Sequence, residues 1–317
     1  MADNGLVGLF VTQFSTLLEL KLQQRMSLFR GKVNEGSHTG SKLASPIQQL
    51  DAMQMQTPTG RFAPKNHVDQ TYTRRWIVPV DKEGDQLIDN FDQLKTPIDP
   101  KSQLVERAAS ACARQWDDEV IRSMTATSTI GSDAGSLTTE AWDTTNFQVA
   151  GDFGTTAGTA NGLTVAKLNE ARRILEHYHA LDYENEAYIA ISSQAHADLR
   201  NQAQIVSSEF NKVSGGLVVV DGKVERVMGF NVIVSERLPT ITDKNSNANC
   251  RSNRIWVKSG VYLGIWQDTK TEVFRRPELS SNPWDINTMI SFGSTRTQLG
   301  KIIEVCSADT IGADITP

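Results

Sequence analysis

The chain has 317 residues, 39% hydrophobic and 22% charged, with 32 Lys and Arg against 37 Asp and Glu, a formal charge of −5 and a pI near 5.6. That length exceeds the usual span of one hydrophobic core, so two lobes or one body with long excursions are expected, and the acidic balance excludes broad electrostatic attraction to nucleic acid. No run approaches the ~20 apolar residues of a membrane span, and the three widely spaced cysteines, Cys112, Cys250 and Cys306, read as small packing residues of a reducing compartment rather than a disulfide frame or metal site.

From Leu6 to Arg30, Leu9, Phe10, Phe14, Leu17, Leu18, Leu22 and Phe29 recur at helical steps and predict an amphipathic N-terminal arm. It packs either on a neighbouring copy or back on its own core. No basic n-region precedes Gly5–Phe14, so no export signal is expected. Gly31 to Gln70 follows neither a strand nor a helix period and contains Gly36, Gly40, Pro46, Pro58, Gly60 and Pro64; it predicts a long extended excursion, of a length usually either functional or disordered. Its end is basic at Arg61, Lys65, Arg74 and Arg75, for which a solvated charged face is the commoner explanation. Thr73 to Val80 alternates, placing Trp76, Val78 and Val80 on one face, and Lys82-Glu83-Gly84-Asp85 reads as a turn before Leu87-Ile88.

Ile98 to Thr127 carries the longest helical pattern. Asp99 is the expected cap, Pro100 suits the first helical position, and the rod reaches roughly 40 Å. Val105, Ala109, Cys112, Trp116, Val120 and Met124 form one stripe, which predicts a helix docked on one side with its charged residues on the other. Thr125 to Asn161 is rich in Thr, Gly, Ser and Ala and reads as an irregular surface segment and lobe boundary. Beyond it a helix is predicted over Leu163–His179, a strand over Ala187–Ile191, and a helix from about Ser193. A hairpin is predicted across Asp221-Gly222 and a strand over Phe230–Ser235. Ile241 to Asn253 reads as a mobile polar loop. Strands follow at Arg254–Lys258, Tyr262–Trp266, Thr271–Arg275 and across Asn287–Val305, with Gly293 marking a bulge and the final strands returning to the first hairpin.

Catalytic constellations are not formed by this pattern. Gly154, Gly158 and Gly162 lack the Lys-Ser/Thr of a phosphate loop. His177 and His179 diverge by about 200° on a helix and cannot share a metal. Ser193, His196 and Asp198 have a simpler reading as a helix start than as a triad. The adjacent Asp117 and Asp118 diverge by about 100°, poor geometry for paired acids, and suit solvent or an intersubunit ion pair.

The chain resembles the tailed-phage major capsid proteins. The resemblance rests on LIDNFDQLKTPIDP, GLTVAKLNEARRIL, AYIAISSQAHADL, VMGFNVIVSERLP, WVKSGVYLGIWQDTKTEVFRRPE and ISFGSTRTQLGKIIEV, in that order from about Thr73 to Val305. It implies an α+β fold, the capsid fold shared by tailed phages and herpesviruses. The implied parts are an N-terminal arm (1–30), an extended E-loop region (31–72), a P-domain (73–160) with spine helix 99–126, an A-domain (161–253), strands returning to the P-domain (254–306) and a tail (307–317). It further implies a noncatalytic virion subunit, without cofactor or metal, that forms hexamers and pentamers of an icosahedral shell around double-stranded DNA. Its partners would be copies of itself, a portal protein, possible separate scaffolding and decoration proteins, and DNA held by weak non-specific contact. Assembly would occur in the bacterial cytoplasm. Expected intersubunit contacts are Leu9, Phe10, Phe14 and Leu17 of the arm, and basic Arg61, Lys65, Arg74 and Arg75 meeting carboxylates such as Asp117, Asp118 or Glu119. The alternatives are a nanocompartment shell enclosing protein cargo and, more remotely, an oligomeric soluble enzyme.

Overall fold

The long periodic stretch folds as helix α1 (Lys101–Thr125). The computed structural model describes residues 23–40, 43–50, 52–53, 55–57, 59–62, 69, 72–89, 101–132, 135–155, 158–182, 186–202, 219–220 and 223–309; the expected cap at Asp99 and Pro100 lies outside them. Cys112, Trp116, Val120 and Met124 are buried as the stripe predicts, with Trp116 tilted against Phe292 at 4.4 Å. Burial is not confined to the stripe, because Ser110, Asp117, Glu119, Ile121 and Ser123 are buried too, while Ala109 is exposed. The C-terminal half of the helix is therefore enclosed on several sides, and only its beginning is a one-sided rod.

Ahead of α1 lie β1 (Asn34–Ser37), β2 (Ala44–Leu50), β3 (Tyr72–Ile77) and β4 (Val80–Ile88). After it come β5 (Ser128–Gly131), β6 (Thr138–Glu140), the single turn α2 (Thr144–Phe147), β7 (Gln148–Val149), α3 (Val165–His177), β8 (Ala187–Ile191) and α4 (Ser193–Arg200). Side-chain oxygens start the three later helices: Asp143 accepts from Thr145 and Asn146 N–H, Thr164 from Lys167, and Ser192 from Ala195. Short strands β9 (Val219–Val220), β10 (Lys223–Val224) and β11 (Arg226–Val227) precede β12 (Phe230–Val234) and β13 (Thr240–Ile241). The chain then runs through β14 (Cys250–Val257), β15 (Val261–Arg275), β16 (Trp284–Arg296) and β17 (Ile302–Ala308).

A seven-stranded sheet ordered β11-β12-β8-β14-β17-β7, with β13 on β14, divides the interior. Ile189, Ile191, Ile255, Val257, Ile303 and Val305 face a core completed by Leu168, Ala171 and Leu175 of α3 and Leu199 of α4. Ala190, Trp256 and Ile302 face the opposite core, with Phe29, Val33, Trp116, Val120, Met124 and Phe292. Burial on both faces explains why β8 and β14 read as runs rather than alternations. A second sheet, β1-β15-β16-β4, packs on α1, and a third, β2-β3-β5-β6, carries the long β2–β3 connection. The return of the final strands to the first ones is realised as β16 pairing antiparallel with β4.

Several expectations change. Lys82-Glu83-Gly84-Asp85 is not a turn but the middle of β4, an exposed edge strand whose charges face water; β3 and β4 belong to different sheets. On β3 the buried residues are Arg75 and Ile77, while Val78 and Val80 are exposed, the reverse of the apolar alternation. The polar 31–70 stretch contributes β1 and β2. Thr125–Asn161 is not wholly superficial, since Phe147, Val149 and Ala150 enter the core. The predicted loop at Ile241–Asn253 ends early, because Cys250–Asn253 belong to strand β14, with Cys250, Ser252 and Asn253 buried, and Asp243 takes the N–H groups of Gly151, Asn245 and Asn247. Tyr262–Trp266 and Thr271–Arg275 are one irregular strand, whose register shifts fall between Ile265 and Lys270. Gly293 pairs in register with Gly264; what it supplies is close approach, since a Cβ there would stand 2.5 Å from the Val78 carbonyl oxygen. Of the arm pattern, Leu9, Phe10, Phe14 and Leu17 lie outside the described residues. Residues 23–30 form no helix, and Phe29 folds back onto Trp256 with ring centroids 5.4 Å apart.

Candidate functional site

Residues 24–38 form a strap across α1 and the β15 edge. Its anchor is Asp117, fully buried, whose carboxylate accepts from Ser27 Oγ, Gln24 Nε2, Leu28 N at 3.0 Å and Phe29 N at 3.3 Å. Arg30 lies 4.8 Å from the Trp116 ring and forks onto Asp268 at 3.0 and 3.1 Å, which raises the arginine pKa and lowers that of Asp268. β1 then adds parallel to β15, where Tyr262 occupies the space left by Gly36. Asp117 is thus an internal receptor for its own chain, not the exposed acid expected from its position beside Asp118.

The root of the β2–β3 hairpin is fixed by ions. Arg75, buried, forks onto Glu140 of β6, and fully buried Arg296 approaches the same carboxylate at 3.8 Å. Arg296 also donates to the carbonyls of Ala126, just past α1, and of Glu140. Burial pushes the Arg296 pKa down to about 10, opposed by Glu140 and reinforced by Arg75. A second buried pair, Arg254 with Glu304, reaches Thr125 Oγ1 at 3.0 Å. Two strand arginines therefore grip the end of α1. Sequence reasoning missed both, because a single Arg in a strand reads as solvent-facing; the nearest signal was the polar run Arg251–Arg254 inside an otherwise buried strand.

The other expected contacts are distributed. Asp118 is bound by Arg237 at 2.5 and 2.6 Å, and Glu119 by Arg122 one turn on. Arg74 is half-buried with its guanidinium 5.4 Å from Tyr72, and Arg61 is exposed beside Phe62. Lys65 lies outside the described residues. The hairpin exposes Leu50 by 68%, Met53 by 73%, Met55 by 90% and Phe62 by 93%. His196 Nε2 accepts from Val224 N at 3.0 Å and Asp198 from Leu163 N, so both serve their own lobe instead of meeting Ser193. Lys167, fully buried, donates to the carbonyls of Gly151, Asn161, Gly162 and Cys306 at 2.7–3.0 Å, with burial bringing its pKa down to about 8.

A profile of the phage capsid protein family matches residues 8–308. No curated protein matches significantly. Among solved structures, the capsid of Cyanophage P-SCSP1u is 16% identical and shares 98% of this chain and 96% of its own, with a TM-score of 0.69. Mycobacterium phage Che8 matches at 13% identity, 96% and 98% coverage and a TM-score of 0.69. The Cyanophage Pam1 capsid matches at 12% identity, 98% and 100% coverage and a TM-score of 0.67. These likenesses establish a shared α+β capsid fold. With the family profile spanning nearly the whole chain, this protein belongs to the phage capsid protein family and is a structural subunit of the virion shell.

Proposed function

We propose that the chain assembles as hexamers and pentamers into an icosahedral shell enclosing double-stranded phage DNA, with no catalytic step. In this reading residues 31–72 hold the E-loop, α1 is the spine of the P-domain, and the seven-stranded sheet with α3 and α4 is the A-domain. Leu9, Phe10, Phe14 and Leu17 dock on a neighbour; Arg61, Lys65 and Arg74 meet a neighbour's carboxylates. Each exposed ion pair contributes only ~0–1 kcal/mol, so shell stability comes from repetition. A portal protein, a scaffolding protein and assembly in the host cytoplasm complete the scheme.

The observation that carries this reading is the hairpin. It exposes Leu50, Met53, Met55 and Phe62 on a connection whose root is held by Arg75, Glu140 and Arg296. Several large apolar side chains exposed along one connection suit burial against a second surface better than water. Electron microscopy of the expressed protein, with nucleic-acid analysis of particles from infected cells, tests it. Closed shells filled with DNA are expected. Discrete small oligomers, or shells filled with protein cargo, would refute it.

A further inference from the structure

A groove runs between α1 and the edge strand β4, which is exposed from Val80 to Asp85. Its floor is apolar, formed by Ala108, Ala111 and Cys112 of the helix and Ile286 and Ile290 of β16. The strand wall is low at Gly84, which pairs with Thr288 and so stands on the α1 side of the sheet. A Cβ at Gly84 would meet nothing within 4 Å among the described residues. Lys82 Nζ donates to Gln115 Oε1 at 2.8 Å from wall to wall, so the groove is already formed at that end. Its volume is about 260 Å³. An apolar cavity of ~150 Å³ takes up the six carbons of benzene. The groove therefore has room for the eight carbons of two leucine side chains.

The strap leads to this groove. Followed toward the N-terminus, it leaves Asp117 for Arg114, whose Nη1 donates to Gln23 Oε1 at 2.9 Å and to the Gln24 carbonyl at 3.2 Å. At about 100° per residue around the helix, Arg114 stands about 60° beyond Asp117, and Ala111 and Gln115 lie about 60–100° further in the same sense. Arg114 thus both holds the strap and lines the groove, and the next residue outward from Gln23 is Leu22. We propose that residues 18–22 of the same chain fill this groove, with Leu18 and Leu22 on its apolar floor. Residues four apart share a side in a helix and in a strand alike, so the assignment holds for either conformation. Their separation, about 6 Å in a helix or 13 Å in a strand, fits the floor between Ile286 and Ile290, about 13 Å along β16. Glu19 and Lys21 bring one charge for each rim, where Arg107 and Arg114 stand on the helix side and Glu83 and Asp85 on the strand side. A segment tethered at Gln23 meets the groove at an effective concentration on the order of millimolar, which favours it over an apolar hairpin from another copy. The contact forms within one chain and does not depend on the shell; it leaves Leu9, Phe10, Phe14 and Leu17 for the neighbour.

Hydrogen exchange on the full chain, followed by mass spectrometry, tests this. Leu18→Asp combined with Leu22→Asp puts charge over the apolar floor; peptides covering residues 82–88 and 104–112 should then exchange about tenfold faster, with α3 and β8 peptides unchanged. Gly84→Leu fills the same space from the strand wall, and no described atom opposes its side chain. That variant should keep the fold and speed exchange at residues 17–22. A chain carrying Leu22→Cys and Gly84→Cys, treated with a short bis-maleimide, should give a 22–84 link at monomer mass on a denaturing gel. Absence of that link, or groove peptides that exchange at the wild-type rate in the double Asp variant, would overturn the proposal. A 22–84 link found only in dimers would assign the groove to a neighbour's arm. Protection lost instead on Met53→Asp with Met55→Asp would assign it to a neighbour's hairpin, and either result overturns the intramolecular contact.

Discussion

Replacing Asp117 by Ala removes one carboxylate and thereby four tethers of the strap: the side chains of Ser27 and Gln24 and the amides of Leu28 and Phe29. Hydrogen bonds to a charged acceptor contribute about 1.5–3 kcal/mol each, but they do not add, and water reaches part of the vacated site once the strap loosens. Phe29 still stacks on Trp256 and Arg30 still forks onto Asp268, so the strap remains docked although less firmly. A net local loss of about 3 kcal/mol is expected, equivalent to exchange roughly 100-fold faster wherever exchange proceeds by strap opening. Hydrogen exchange followed by mass spectrometry on peptides covering residues 24–33 reads this directly. Peptides from α3 and β8, in the core across the sheet, serve as the internal reference and should change little. If Leu28 and Phe29 exchange at the wild-type rate in Asp117→Ala, the carboxylate is not the anchor and the strap is held by its aromatic contacts alone.

Glu140→Gln leaves Arg75 and Arg296 facing each other without a counter-charge; a loss of about 3–5 kcal/mol and faster proteolytic cutting at the hairpin root are expected, and a wild-type urea midpoint would contradict the ionic root. Gly293→Ala drives a methyl into the Val78 carbonyl oxygen, a backbone atom that cannot rotate away, so about 1–3 kcal/mol should be lost in urea unfolding. The His196 pKa is lowered by burial and then by Arg200 and Lys223. Between the lowered folded value and the ordinary histidine value, the unfolded chain binds a proton that the folded chain does not. Stability is therefore full above that window and falls as pH drops through it. Thermal midpoints compared between about pH 7 and pH 5 should decline less in His196→Gln than in wild type, and equal slopes would remove His196 from the account.

What was legible follows from where each signal originates. The helices α1, α3 and α4 and the strands β8 and β12 were found because their apolar spacing and local caps act within a few residues of sequence. β4 was misread because Gly84 and three acids are what an exposed edge strand and a turn both tolerate, and only its pairing with β16 separates them. The buried face of β3 was inverted because Arg75 is drawn inward by Glu140, a partner 65 residues away. The same limit hid the role of Asp117, whose donors lie about 90 residues earlier. Extended polar stretches such as β1 and β2 give no periodic signal at all. The family resemblance, by contrast, was carried by strings spread over the chain and needed no contact to be known.

The ionic root of the β2–β3 hairpin has a mechanical meaning. Arg296 touches the carbonyl of Ala126 just past α1, the carbonyl of Glu140 and the carboxylate that holds Arg75, so the hairpin root and the helix terminus share one ionic junction. The register of β2 against β3 is irregular only between Ala44 and Ile47. Displacing β3 at Arg75 would therefore disturb the end of α1 and, through Arg254 and Thr125, the sheet beyond it. One carboxylate, Glu140, thus couples the β2–β3 root to the end of the long helix.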